Sequence, residues 1–440
     1  MISLRRNKKA ALLASVVTSV ALAASVVPAN AEVGISSREI KLGITVPMTG
    51  IAAPGYNKVA PAMKAYFEYI NDNGGVYGRK INLIIKDDRY IPQEAINKTN
   101  ELILRDKVFA LVGQLGTANN LAVSSKVRLA ARKVPSLFVN TGFSGFADVK
   151  KFPTTFMHFT SYAAEAKILG TYINENLSGK TVCLISQNDD FGADAGKGFA
   201  AAGVKFAEHV KYVSGTQSSA TAQTWIGKLV AAKCEAVVLM TVSSATAPVL
   251  AVASQAGFKP QWILGTVGAD STTLKLALAP AGIPAAAAQA LFNGAIGVSF
   301  LPDALDTTDE YVKQFREINA AYNKGVEFDN NVLVGMNAGL LTVQALRAAG
   351  TNPTRAKLIK ALETKGSSFA SAAYSPLAVS SKSHGGHTAA WFGKYNLAGE
   401  LKPLESTRTI YTTDNTATLP VTKTTSKRAP MPAKGIPSNS

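Results

Sequence analysis

Ala110-Leu-Val-Gly-Gln-Leu-Gly-Thr-Ala-Asn-Asn-Leu-Ala-Val123 is the stretch that decides the fold. With Phe109 before it, the run up to Val112 is short and apolar and ends at a glycine, so it reads as a buried strand. Gly113 to Thr117 is a turn of small residues. From Ala118 the apolar positions Leu121, Val123, Val127 and Leu129 follow helical spacing. Arg128, Arg132 and Lys133 close the segment with the charge that suits a helix C-terminus. Strand, Gly/Thr turn and helix together aim free backbone N–H groups and a hydroxyl at one spot. That spot suits a carboxylate or another small anion. The alternative is that Gly116-Thr117 only turns the chain and caps the helix.

The same unit repeats on both sides. Strands are expected over 41–46, 81–86 and 136–139, and helices over 55–73 and 92–106, with Gly74-Gly75 ending the first helix. This alternation demands parallel strands covered by helices on both faces. The pattern restarts near Thr160, with strands expected over 180–186, 205–210, 236–241 and 262–265. Helices over 163–176, 194–202, 218–231 and 244–256 go with them. Later helices are expected over 272–279, 309–321, 331–349 and 354–364, and β-like segments over 389–397 and 407–411. The fold class is therefore α/β: two doubly wound parallel-sheet lobes joined by a multi-crossover hinge. The first lobe is expected to hold 32–158 and about 268–375, the second 159–267 and about 376–412. The stretch 413–440 is rich in Thr, Pro, Lys and Ser with almost no apolar periodicity, and reads as a disordered tail.

Residues 1–31 read as a signal peptide outside the fold. Arg5, Arg6, Lys8 and Lys9 form its basic start, 10–27 its apolar centre, and Ala29-Asn30-Ala31 a cleavage motif. The alternative is a membrane anchor. No later stretch approaches ~18 continuous apolar residues, so an exported soluble protein, periplasmic or extracellular, is expected. No cysteine follows the cleavage motif to carry a lipid. Losing the four basic residues lowers the net charge from +17 to +13. Lys and Arg are spread out with no aromatic-interleaved stripe, so nucleic acid is not an expected partner. Export makes one disulfide chemically allowed between the two cysteines, Cys183 and Cys234, each near the start of an expected strand. Two reduced thiols are the other reading.

Ligands in open parallel sheets sit beyond the carboxyl ends of the strands. Those ends carry Pro47-Met48-Thr49, Asp87-Asp88, Gln114 to Thr117 and Thr141-Gly142-Phe143 in the first lobe. In the second they carry Gln187 to Phe191 and Val242 to Ser244. Two such edges facing each other make a cleft suited to a small molecule. Catalytic signatures are missing. Gly142-Phe-Ser-Gly-Phe146 fails the nucleophile-elbow pattern at its last position, and Gly192 to Gly198 is one residue short of a phosphate loop. His384-Gly-Gly-His387 lies in a Ser/Gly-rich loop with no third metal ligand nearby. The acidic pairs 87–88 and 189–190 place neighbouring side chains on opposite sides of an extended chain. None of the four histidines has a Ser or Cys partner by spacing. A secreted hydrolase would need such a pair, so no enzyme, metal or cofactor is expected.

Ile40-Lys-Leu-Gly-Ile-Thr-Val-Pro-Met-Thr-Gly50, Asn71-Asp-Asn-Gly-Gly-Val-Tyr-Gly-Arg-Lys80 and Asp87-Asp88 closely resemble the leucine/isoleucine/valine-binding type of solute-binding protein. Ala110 to Gly113 with Gly116-Thr117, Lys133 to Val139, Gln187 to Gly192 and Gln255-Ala-Gly-Phe258 continue the resemblance. It covers about 38–400, with motifs that are individually weak and jointly specific. It implies a type I periplasmic binding fold that closes about a hinge, works as a monomer and delivers its ligand to an ABC permease. A sensor domain of the same fold is the other implied role. On this resemblance Thr117 holds the ligand carboxylate, Thr141, Gly142 and Phe143 form a second contact loop, and Phe191 packs on the ligand from the second lobe. Tyr162 stands at the first crossover. Met48, Leu115, Gly116, Val242 and Val267 complete the expected lining. Where amino-acid binders carry Gly-x-Glu-Gly, this chain has Gly265-Thr266-Val267-Gly268. Val267 cannot pair with an ammonium, and an unpaired buried ammonium costs several kcal/mol. The expected ligand is therefore a small carboxylate without the α-amino group, such as an aromatic, keto or aliphatic acid. A branched-chain amino acid requires Asp270 or another acid as substitute.

Overall fold

A computed structural model describes residues 32–438; the signal-peptide reading of 1–31 lies outside them. The first sheet holds β1 (Glu39–Val46), β2 (Lys80–Asp87), β3 (Ala110–Val112), β4 (Ser136–Val139) and β5 (Thr155–Met157). They run parallel in the order β2-β1-β3-β4-β5. The strands β3 and β4 are buried at every position, as strands covered on both faces must be.

The second sheet repeats that order. β6 (Val182–Gln187), β7 (His209–Tyr212), β8 (Ala236–Met240), β9 (Gln261–Leu264) and β10 (Ile296–Ser299) run parallel as β7-β6-β8-β9-β10. A small hairpin, β11 (Val379–Ser380) with β12 (Ser383–His384), stands apart. β13 (Ala389–Tyr395) pairs antiparallel with β10. β14 (Leu401–Pro403), β15 (Ile410–Thr412) and β16 (Thr422–Thr424) extend that edge. In each sheet the strand order reverses once, between β1 and β3 and between β6 and β8. Those are the switch points at which crevices open.

Four expectations change. Residues 268–299 stay with the second lobe, because β10 lies between β9 and β13. The chain returns to the first lobe only after Ser299, where the helices Glu310–Tyr322 and Asn330–Ala348 pack on the helix Val59–Asp72. β10 escaped the sequence because four residues behind an Ala-rich helix carry no distinct period. β5, three residues long, escaped for the same reason. The strand expected over 205–210 forms at His209–Tyr212. The helices expected after Pro92 and Thr117 both loosen into π-helical turns, Glu101–Arg105 and Val123–Arg128.

The fourth change concerns the tail, which is ordered through residue 438 rather than disordered. β16 joins the second sheet, and the chain then crosses to the first lobe. There the hydroxyls of Tyr66, Tyr69 and Tyr311 donate to the carbonyls of Gly435, Lys434 and Ala429 at 2.7, 2.6 and 2.7 Å. Anchoring through main-chain carbonyls needs no apolar pattern in the tail, so composition could not reveal it. Among the described residues the chain thus passes between lobes four times. Cys183 and Cys234 are bonded, with Cα atoms 5.9 Å apart, and tie β6 to the turn before β8. No described helix is long and apolar enough to cross a membrane.

Candidate functional site

The turn after β3 is shaped by glycine. Gly116 has φ +97°, and a Cβ there would stand 2.7 Å from the Tyr90 ring, so only glycine fits. Thr117 follows as the first residue of the helix Thr117–Ala122, whose leading N–H groups have no intrahelical acceptor. The Thr117 hydroxyl bonds the Thr141 hydroxyl at 2.7 Å. The next loop is pinned to the second lobe: the Tyr162 amide donates to the Gly142 carbonyl at 2.7 Å. A side chain on Gly142 would strike the Thr160 carbonyl and the Tyr162 ring. The Tyr162 ring rests on Phe191 with centroids 4.4 Å apart.

Between the lobes lies a cavity with about 830 Å³ of empty space, open solvent included. Leu115, Gly116, Tyr162, Val242 and Val267 of the sequence candidates line it. Thr117, Thr141, Gly142 and Phe191 are buried but do not line it. Met48 is only half-buried, its amide donating to Asp87 Oδ1 at 3.0 Å, and it does not line the cavity. Phe143 also falls outside: its ring packs on Phe146 at 5.4 Å, beneath the Lys197 ammonium. Sequence reasoning missed Tyr56, Tyr90 and Asp303, which also line the cavity. Tyr90 follows the expected strand end Asp87-Asp88, the one signal the sequence offered for it, and has φ +62°, a strained conformation for a bulky residue. Tyr56 donates its hydroxyl to the Val267 carbonyl at 3.1 Å and so joins the lobes across the cavity.

A family model described as "Periplasmic binding protein" matches residues 39–400. The chain belongs to the periplasmic binding protein family. The family consists of solute-binding proteins of ABC transporters, not of enzymes. A "Leu/Ile/Val-binding protein homolog 3" from Brucella melitensis is 24% identical over 200 residues, 42% of this chain and 48% of that protein. The match thus spans about half of that relative's length. A branched-chain amino acid ABC transporter protein from Thermus thermophilus, solved with bound valine, superposes with TM-score 0.73 at 18% identity. That superposition covers 87% of this chain and 98% of the other. A solute-binding protein from Rhodopseudomonas palustris BisB5, solved with 3,4-dihydroxybenzoic acid, gives 0.69 at 21% identity over 84% and 97% of the two chains.

In this periplasmic binding protein a polar clamp joins the lobes. Asp194, on the second-lobe helix Asp190–Ala201, accepts from the Ser144 amide at 2.8 Å and the Ser144 hydroxyl at 2.5 Å. The histidines do hydrogen-bond serines, contrary to the spacing argument: Ser186 with His209 at 2.8 Å and Ser371 with His387 at 3.2 Å. Neither pair lines the cavity. His384 stacks on Phe156 at 3.9 Å and His387 on Phe300 at 5.9 Å, so both pack the hinge region. No metal-binding cluster occurs among the described residues.

Burial governs the acids around the cleft. Glu165, in the first turn of the helix Tyr162–Asn176, is pushed up to about 7 by burial, against hydrogen bonds from Thr266. Its Oε1 accepts the Thr266 amide at 3.0 Å, beside Gly265. The folded state therefore keeps a proton that the unfolded chain releases near 4.5. Raising the pH from about 4.5 to 7 erodes stability, by up to about 3 kcal/mol for this group. Glu165→Gln keeps a neutral acceptor there. Denaturant titrations at pH 4.5 and 8 are expected to show the variant gaining on the wild type as pH rises. An unchanged difference between the two pH values contradicts this assignment.

Proposed function

We propose that the chain is the exported solute-binding component of an ABC importer, closing as a monomer on a small carboxylate-bearing ligand and presenting it to a membrane permease. The observation that carries this reading is the interlobe cavity at the two switch points, walled by Gly116 from one lobe and by Val242 and Val267 from the other. The carboxylate is received at the Gly116-Thr117 turn, by leading helix N–H groups and hydroxyls rather than by a basic side chain. No Lys or Arg lines the cavity. Val267 stands where the resemblance places an acid for a ligand α-ammonium, so the reading favours a carboxylate without that group; Asp270, which lines the same cavity, is the acid a branched-chain amino acid requires. The similar proteins solved with valine and with 3,4-dihydroxybenzoic acid support a carboxylate-bearing ligand of modest size. Thermal-shift screening of the purified protein tests this. Organic acids are expected to raise Tm. Strong stabilisation by leucine or valine, with none from organic acids, overturns the ligand class.

A further inference from the structure

The family match ends at residue 400, so the tail that makes the fourth passage between the lobes lies beyond it. The tail is held at both ends. On the second lobe β16 pairs with β15, and the Lys167 ammonium donates to the carbonyls of Ala417 and Leu419, both at 2.8 Å. On the first lobe the hold begins at Arg428, which meets Asp309 at 2.5 Å, and continues through the Tyr311, Tyr69 and Tyr66 hydroxyls. Only Thr425, Ser426 and Lys427 separate the last residue of β16, Thr424, from Arg428. Fully extended, such a link spans at most about 14 Å. It is also tied part-way, because the Lys427 amide donates to the Tyr374 carbonyl at 3.1 Å.

Tyr374 belongs to the third passage, between the helix Arg355–Lys365 and β13. Two guanidinium groups lie over its ring, that of Arg428 at 4.9 Å and that of Arg408 at 4.7 Å. Arg408 comes from the second lobe, between β14 and β15, and lies also over Trp391 of β13 at 4.4 Å. It meets Asp306, on the second passage, at 3.3 Å. Arg428 lies in turn over Tyr311 of the first-lobe helix Glu310–Tyr322 at 5.0 Å. Rings and cations therefore alternate from one lobe to the other: Trp391, Arg408, Tyr374, Arg428, Tyr311. Each guanidinium is attracted to the rings on either side of it. Hinge motion is absorbed by a few residues between two bodies. Here those residues are stapled together, and rotation must slide a guanidinium off a ring or stretch the three-residue link.

We propose that the carboxyl-terminal tail is a strap that limits how far the lobes open. With the strap in place the ligand-free protein opens only part-way from the form in which Asp194 meets Ser144. The strap rests on the hinge motion of the binding reading but not on the identity of the ligand.

Lengthening the strap tests this without a ligand. A Gly/Ser segment of about twelve residues, inserted between Thr425 and Ser426, has a mean reach of roughly 19 Å. It keeps the Arg428–Asp309 pair, so the urea midpoint should not move. The same segment inserted after Gly179, in an exposed turn, controls for the added mass. Small-angle scattering of the full chain, stripped of ligand, is expected to give a radius of gyration about 1 Å larger for the strap insertion than for the control, on roughly 22 Å for a compact chain of this length. Arg408→Gln, which removes the second-lobe cation from the ladder, takes the place of the insertion if that variant does not fold, with the same expected direction against wild type. A radius unmoved by the change overturns the strap, whatever carboxylates do to either protein. A larger radius, with no carboxylate closing any of the proteins, supports the strap and instead overturns the carboxylate reading.

Discussion

Asp194→Ala is expected to weaken ligand binding by about 10- to 100-fold, without a comparable loss of fold stability. Asp194 and Ser144 belong to different lobes, and the carboxylate takes both the amide and the hydroxyl of Ser144. Hydrogen bonds to a charged group are worth about 1.5–3 kcal/mol each. Opening returns both partners to water, so the net loss is about 1.5–3 kcal/mol, or about 10- to 100-fold in affinity. It acts on the open–closed equilibrium, because apparent affinity scales with the population of the binding-competent state. Lys197, 3.1 Å from Asp194 with its side chain 63% exposed, adds little. Calorimetry gives the affinity, and scattering should show the variant more open at equal ligand. An affinity equal to wild type removes the clamp from the mechanism.

Arg428→Ala is expected to destabilise the fold by about 3 kcal/mol, because breaking a buried ion pair strands the partner charge. The Arg428 guanidinium lies 2.5 Å from Asp309, with side chains 14% and 3% exposed. It also donates to the Ala372 carbonyl and lies over the rings of Tyr311 and Tyr374 at 5.0 and 4.9 Å. Asp309 caps the helix Glu310–Tyr322, so the tail supports a first-lobe helix. Arg428→Lys should recover only part of the loss, since an ammonium lacks the planar fork and ring stacking. Urea midpoints measure both. No change on Arg428→Ala would mean that the tail does not hold the first lobe.

Repetition made the architecture readable. The stretch from Ala110 showed a strand, a glycine turn and a helix, and copies of it before and after gave both parallel sheets. What escaped was short or held by distant partners. β5 and β10 are too brief to show a period, and β10 is specified by β9 and β13 on its two sides. The tail is held by tyrosines more than 100 residues away in sequence. At the site, strand ends located Leu115, Gly116 and Val242, and the family resemblance located Tyr162 and Val267. Strand ends do not say which way a side chain turns, so Met48 and Phe143 fell outside the cavity. Asp303 was invisible because it follows the unseen β10. Asp270 was visible only as a possible substitute for the acid that Val267 replaces.

Small-angle scattering combined with mass spectrometry on one sample tests the central claim most directly. Stripping the protein by unfolding and refolding should enlarge its radius of gyration. Adding back a binding carboxylate should restore the compact form, with the ligand recovered chemically unchanged. A radius indifferent to every carboxylate that binds, or a ligand converted to product, contradicts the account.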